Sequence, residues 1–301
     1  MYNNSSSKIR SINSIIMETK AVVLGCRNDG YKEDERIVVC LNSMVETFDE
    51  VWYCDWNSPS DRGPLLWRLE DKILKQGKIR HFVISEDIVK MIYGENNRIS
   101  PYAFILAQNL LIRRCTADWI TSTAMDIIAP KKEYLDSFIS QADKDTFYSI
   151  SRRDVEYSEL EKMGFENWKE FRDKMDTTTE PRRFPARVTP NDNYSLINCC
   201  GDFQTARKDV WHKIKGFEEQ MLYACYGDTN VQKKAVLNGF KLEAYYDLPL
   251  YHLSHRGMSN DGSSPSKQYY NDPYKWVEFF QSTENDENWG FGDTLIEYEI
   301  I

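Results

Sequence analysis

Residues 102–130 read YAFILAQNLLIRRCTADWITSTAMDIIAP, and the order of their signals decides the fold. From 102 to 116 the apolar positions recur at helical spacing, with Arg113 and Arg114 near the end, where cations suit the helix dipole. From 117 to 126 the pattern becomes that of a strand, which runs into Ile127-Ile128-Ala129-Pro130. A helix feeding a strand is the repeating unit of parallel α/β sheets, and ligands of such sheets bind at the carboxyl ends of the strands. Asp126, at the exit of this strand, is therefore expected beside a ligand. A carboxylate there suits a hard cation such as Mg2+ or Mn2+ that bridges phosphate oxygens.

The upstream chain repeats the unit. Residues 21–24 (AVVL) read as a buried strand, followed by the loop Cys26-Arg27-Asn28-Asp29-Gly30. Ile37, Leu41 and Met44 recur at helical spacing, and that helix ends near Phe48. Residues 51–54 form a second strand that stops at Asp55; 64–75 read as helix and 79–84 (IRHFVI) as a third strand. This β-α-β-α-β order predicts an α/β fold, a mostly parallel sheet flanked by helices. The strand ends carry Arg27, Asn28 and Asp55. An Asp at such an end can accept hydrogen bonds from a base or ribose, although an isolated loop Asp more often caps the next turn. Neither G-x-G-x-x-G nor a P-loop occurs, so phosphates would have to be held by a metal or by cationic side chains.

Composition narrows the function class. The 301 residues allow one large domain or two small ones, and the net charge of −9 argues against nonspecific binding to nucleic acid or to an anionic membrane. No apolar run approaches the roughly 20 residues of a membrane span, and no signal-peptide pattern opens the chain. Residues 1–18 read as a flexible, polar lead. The seven cysteines are odd in number, scattered and without C-x-x-C spacing, as buried free thiols are, which points to the cytoplasm.

The second informative stretch is 198–230, NCCGDFQTARKDVWHKIKGFEEQMLYACYGDTN. Its helix signal over 208–213 is flanked by two loop carboxylates, Asp202 and Asp228. A strand is expected before it at 194–198, and another at 147–150 with its exit at Ser151-Arg152-Arg153-Asp154. Between these, 160–175 reads as one helix and 177–189 as a loop. After 228 come a helix, a strand over 242–246, and His252 and His255 in H-x-x-H spacing, which by itself is a weak metal signature. The tail from 261 is polar, with an aromatic helix candidate over 269–280 and an acidic end, 284–301, that reads as packing back on the domain.

Three features together resemble a known family. The Asp55 loop, the A-x-N-x-x-I-R-R helix (107–114) and the W-I-x-x-x-x-x-D-I-x-x-P run (119–130) are similar to the GT-A glycosyltransferases of the large family-two type. The G-D-F-x-x-x-x-K-x-x-W-x-x-I-x-G-F-x-E run (201–219) resembles the C-terminal segment of galactosyltransferase-like members. The resemblance covers roughly residues 19–257. It implies a nucleotide-binding half over 19–130, an acceptor and catalytic half over 131–260, and a tail over 261–301.

It further implies transfer of a hexosyl or pentosyl group from a nucleotide-sugar, with a UDP-sugar first in line, to a glycan or other hydroxyl acceptor. By the same resemblance Arg27, Asp55, Arg113 and Asp126 would hold the donor, with Arg114 an alternative to Arg113. Asp202 and Trp211 would face the acceptor. Asp126 with His255, or next His252, would hold Mn2+ or Mg2+. Asp228 would be the general base of an inverting reaction, a role worth about 10²–10⁴ in rate. The chain departs from the family at Ala124, where the first Asp of D-x-D would stand, and at Gly227 and Asn230 in the acidic turn. Those departures support an alternative, a carbohydrate- or nucleotide-sugar-binding protein without turnover. A nucleotidyltransferase would want a Gly-rich phosphate loop near the N-terminus, which is absent.

Overall fold

The computed structural model describes residues 18–30, 34–93, 104–181, 201–219, 227–254, 284–294 and 296–301. In chain order the elements begin with β1 (Lys20–Cys26), α1 (Asp34–Thr47), β2 (Glu50–Trp56), α2 (Asp71–Leu74), β3 (Ile79–Ile84), α3 (Glu86–Tyr93) and α4 (Phe104–Arg114). They continue with β4 (Trp119–Thr123), β5 (Ile127–Ile128), α5 (Lys132–Gln141), β6 (Thr146–Ile150), β7 (Arg153–Val155), α6 (Tyr157–Met163) and α7 (Trp168–Thr178). The last are β8 (Phe203–Arg207), α8 (Lys208–Lys213), α9 (Gly227–Leu237), β9 (Lys241–Tyr245), β10 (Tyr251–Leu253) and β11 (Tyr298–Ile300).

The strands form a sheet in the order β11-β3-β2-β1-β4-β8-β6-β9, with a small second sheet β5-β10-β7 beside it. Strands β3, β2, β1 and β4 are mutually parallel, as the repeated α/β unit predicts. Both faces are covered, so β1 reads as a continuous apolar run rather than an alternating one. Val22 and Leu24 point into a core with α1, α5, α6 and α7. Ala21 and Val23 point the other way, into a core with α4, α8 and α9.

Strand direction decides where polar ends meet. β8 runs antiparallel between β4 and β6, with Phe203 opposite Thr123, so the start of β8 lies beside the end of β4. β6 is antiparallel to β8 and therefore runs with β4, which brings its end at Ile150 to the same edge. The ends of β1, β2, β4 and β6 and the start of β8 thus share one edge.

The structure departs from the sequence reading in three places. The single helix expected over 64–75 is a 3-10 turn (Leu65–Arg68) and the short α2, because the backbone is extended at Leu69 and Glu70. That break lets Leu65, Leu66 and Leu69 all enter the core with α1. The helix expected over 160–175 is interrupted at Gly164, whose φ of +88° is left-handed. The strand over 203–207 follows the Gly201-Asp202 step, where the sequence reading gave a turn before the helix and no strand; pairing with β4 and β6 makes it one. The lead over 1–17, the strand expected over 194–198, the helix expected over 269–280 and Cys199, Cys200 and Cys225 lie outside the described residues. Cys26, Cys40, Cys54 and Cys115 are buried free thiols. Among the described residues no helix is long and apolar enough to cross a membrane.

Candidate functional site

At the β1–β2 end the polar residues are laced to one another. Arg27 leaves the sheet beside Asp55, the register partner of Cys26, and its Nε donates to Asp29 Oδ1 at 2.8 Å. Its Nη1 donates to the carbonyl of Trp56. Asp55 is 2% exposed; its carboxylate accepts from the hydroxyl and the amide of Ser58. Ser58 Oγ in turn accepts from the Asn28 amide at 2.8 Å, and Asn28 Nδ2 donates to the carbonyl of Gly63 at 2.8 Å. Burial raises the Asp55 pKa, with the Ser58 hydrogen bonds opposing. Asp55 therefore does the turn-capping work open to an isolated Asp, and it ties the loops after β1 and β2 together.

The β4–β8–α9 end gathers like charges. The Asp202 carbonyl accepts from Thr123 Oγ1 at 2.8 Å and from the Ala124 amide at 3.0 Å, which pins the start of β8 to the end of β4. Asp126 follows one turn later; its carbonyl accepts from the Leu253 amide at 3.0 Å, which docks β10 against it. His252, opposite Ile127 in β5 and Asp154 in β7, lies between two carboxylates. Its Nδ1 is 3.0 Å from Asp154 Oδ1 and its Nε2 is 3.5 Å from Asp126 Oδ2. Arg152, just past the end of β6, reaches Asp154 Oδ1 with Nε at 2.9 Å and pairs with Asp202 through Nη1.

Asp228 stands in the first turn of α9. Thr229 donates its amide to Asp228 Oδ1 at 2.9 Å, and Gln204 Nε2 donates to the Asp228 carbonyl at 3.0 Å, joining α9 to β8. Gly201 comes so close that a Cβ there would lie 2.0 Å from Asp228 Cβ. Opposing influences act on this carboxylate. Burial pushes its pKa up and Asp202 adds to that, while the amides of Thr229 and Gly201 favour the charged form. Burial wins, and the pKa is raised to about 6. Asp202 is also raised by burial, against the opposing charge of Arg152, with Asp126 adding to the rise. Asp202 thus feels the charge of Asp126, and Asp228 that of Asp202.

No family model matches the sequence, and comparison with curated proteins finds no match. Solved structures do match. A mannosyltransferase, PcManGT from Pyrobaculum calidifontis in complex with GDP-Man and Mn2+, aligns over 92% of this chain and 68% of its own, with 14% identity and a TM-score of 0.54. Residues 1–349 of TarS from S. aureus align over 91% of this chain and 70% of that one, at 16% identity and a TM-score of 0.51. GalNAc-T7 with UDP, GalNAc and Mn2+ aligns over 91% of this chain and 53% of its own, at 14% identity and a TM-score of 0.54. The chain has the GT-A fold.

Within this GT-A fold, two expected site residues are engaged elsewhere. Arg113 donates through Nη1 to the carbonyls of Glu287 at 2.8 Å and Trp289 at 3.1 Å, and its guanidinium lies 5.5 Å from the Trp289 ring. Arg114 donates to the carbonyls of Gly290 and Thr294. The arginine pair thus fastens the 284–294 segment to α4. Trp211, expected on the acceptor side, is fully buried; its Nε1 donates to the carbonyl of Ile120 at 3.0 Å and its ring packs edge-on to Phe147. It is a core residue.

His255 lies outside the described residues; among the described residues His252 comes within 3.5 Å of Asp126. Arg152 and Asp154 did not enter the expected site, yet the signal was present: Ser151-Arg152-Arg153-Asp154 follows a strand, and strand exits had already singled out Asp55 and Asp126. The groove between α1, α2 and α7, lined by Asn42, Glu46, Lys78 and Trp168, shares no residue with this set.

Asp126 and His252 offer one carboxylate and one imidazole nitrogen 3.5 Å apart. Among the described residues no group of three or more His, Cys, Asp or Glu is placed to hold an ion alone. Such a sparse set fits a cation that arrives with a diphosphate, since Mg2+ is commonly held by one or two carboxylates, substrate phosphates and water. The imidazole tips the set towards Mn2+.

Proposed function

We propose that this protein is a glycosyltransferase that moves a hexosyl or pentosyl group from a nucleotide-sugar, with a UDP-sugar as the first candidate, to a hydroxyl of a glycan or similar acceptor. The observation that carries the reading is Asp228. It is a carboxylate held at a helix start, with its pKa raised to about 6 by burial and by Asp202, at the edge of a GT-A sheet where the ends of β1, β2, β4 and β6 meet. A base poised near neutral pH is what deprotonation of an attacking hydroxyl requires.

In this reading Asp228 takes the acceptor proton as the hydroxyl attacks the sugar carbon from the face opposite the departing diphosphate, which gives inversion. Asp202, held by Arg152 and by its own carbonyl contacts, forms the wall on the acceptor side. Arg27 and the loops laced by Asp55 and Ser58 shape the nucleotide end. Asp126 and His252 hold the divalent cation, which when bound neutralises charge developing on the diphosphate. Arg152, and not Arg113, pairs with Asp202.

The test is direct. The protein is screened by thermal shift against UDP-, GDP- and dTDP-sugars with and without Mn2+. A cognate donor at about 100 times its Kd adds about 2.7 kcal/mol of stability. Release of nucleoside diphosphate with a hydroxyl acceptor is then measured. Donor binding with no release and no transfer under any pairing would overturn the transferase reading.

A further inference from the structure

We propose that Gln204 is a positioning residue for the transfer reaction: its side-chain amide fixes the backbone of Asp228 and so aims the carboxylate that takes the acceptor proton. The inference rests on the general-base reading above and extends it to a fully buried side chain in β8.

The helix that carries Asp228 has little apolar surface with which to hold its place. Among the buried residues of α9 only Val231 and Ala235 bring apolar side chains to the core, and both are small. Apolar packing is non-directional, so one short stripe sets the height and rotation of a helix only weakly. Directional bonds must do the rest, and two amides supply them. Gln204 Nε2 donates to the Asp228 carbonyl at 3.0 Å. One turn further along α9, Gln232 Nε2 donates to Ser149 Oγ in β6 at 3.3 Å.

Gln204 is itself firmly placed. It lies opposite Ser122 in β4 and Ser149 in β6, so strands flank it on both sides. Three residues earlier, Gly201 lies against Asp228 Cβ. One short segment, Gly201-Asp202-Phe203-Gln204, thus meets the base at its side chain and at its carbonyl.

The chemistry of the amide separates this role from simple packing. Only the NH2 end can face a carbonyl, so Oε1 turns away, and among the described residues this buried oxygen has no hydrogen-bond partner. A buried acceptor without a partner costs stability, which an apolar side chain of the same length would not. Gln204 is therefore explained by what its donor holds, the Asp228 backbone, and not by the stability of the core.

The test is a double-mutant cycle on the full chain: wild type, Gln204→Met, Asp228→Asn and the double variant. Turnover is measured with the donor and acceptor that the screen above selects, and UDP affinity by titration calorimetry. Methionine is unbranched and fills the space without a donor. In Gln204→Met, kcat is expected to fall about 10–100-fold, as for a reacting group displaced by about 1 Å, with UDP affinity within about twofold of wild type. In the Asp228→Asn background the same change should alter the residual rate by less than about twofold, because a residue that acts through Asp228 has nothing left to act on.

Gln204→Asn, which stays polar but withdraws the amide by one methylene, should repeat this pattern and carries the test if Gln204→Met does not fold. Wild-type kcat in a folded Gln204 variant, or an equal fractional loss in the two backgrounds, overturns this assignment and leaves the base reading standing. Undiminished turnover in Asp228→Asn overturns both, as does a wild type that transfers no sugar.

Discussion

The two ends of the same sheet edge use their polar residues in opposite ways. At the β1–β2 end, Arg27, Asn28, Asp55 and Ser58 spend their hydrogen bonds on one another and on nearby carbonyls, so the buried carboxylate of Asp55 is satisfied by neutral donors. At the β4–β8–α9 end Asp126 acts on Asp202 and Asp202 on Asp228, and Asp228 keeps a raised pKa despite its amide contacts. Burial raises Asp55 as well, so desolvation does not distinguish the two ends. The neighbours do: a hydroxyl and an amide at one end, another carboxylate at the other. The first arrangement makes a rigid cradle, and the second stores the electrostatic strain that a general base needs.

Replacement of Asp228 should have the largest effect. Asp228→Asn keeps the shape and the amide contact to Thr229 while removing the proton acceptor. Turnover is expected to fall by about 10²–10⁴, with UDP affinity within about twofold of wild type. Comparable losses in binding and turnover would place Asp228 with Asp55 among the supporting residues and erase the contrast.

Gly201→Ala asks how finely the base is placed. The new Cβ would meet Asp228 Cβ at 2.0 Å, and neither atom is the free end of a flexible chain, so backbone must move. A shift of about 1 Å in a reacting group can cost about 10²-fold, and a loss of that order in kcat is expected. The nucleotide end is remote from this contact, so UDP binding should persist. A variant with wild-type kcat would show that the Asp228 position carries no such demand.

Asp55→Ala tests the other end. It leaves the part-buried amide and hydroxyl of Ser58 without their acceptor, which costs about 1 kcal/mol of stability in urea melts. The loop tied to it should loosen, raising KM for the donor with little change in kcat. A fall in kcat at constant KM would mean that Asp55 acts in the chemical step and not as a scaffold.

How much of this was legible in sequence depended on distance along the chain. The parallel order β3-β2-β1-β4 followed from apolar runs and helix spacing, because each strand and its crossover are contiguous. Asp126 and Asp202 were found by the rule that strand ends and turns carry ligands, and they do meet. Arg113 misled because its partners lie 174 and 176 residues away, at Glu287 and Trp289, and no local pattern announces such a pairing. Trp211 misled for a different reason. A helix of six residues is too short for its periodicity to say which face turns inward, and this Trp turns onto the sheet. That His252 meets Asp126 could be read only once β10 was known to lie between β5 and β7, an arrangement of three short strands with almost no sequence signal.

The pH dependence gives the smallest and most specific expectation. Folded Asp228 titrates at about 6, above its ordinary 3.8, so the native state binds this proton more tightly than the unfolded chain does. The stability it contributes is complete below about pH 4 and is lost as pH rises through 6. Turnover moves the opposite way, since only the charged form can accept a proton. The kcat/KM profile, which reports groups of the free enzyme, should therefore rise with pH, reach half its plateau near pH 6, and stand about tenfold below the plateau at pH 5. Asp228→Asn should abolish both slopes together, so the variant gains stability over wild type at pH 8 and loses that gain at pH 4. Asp55→Asn should leave the acid limb of kcat/KM where it is. If the limb moved with Asp55 and not with Asp228, the cradle and the reactive end would have to exchange roles.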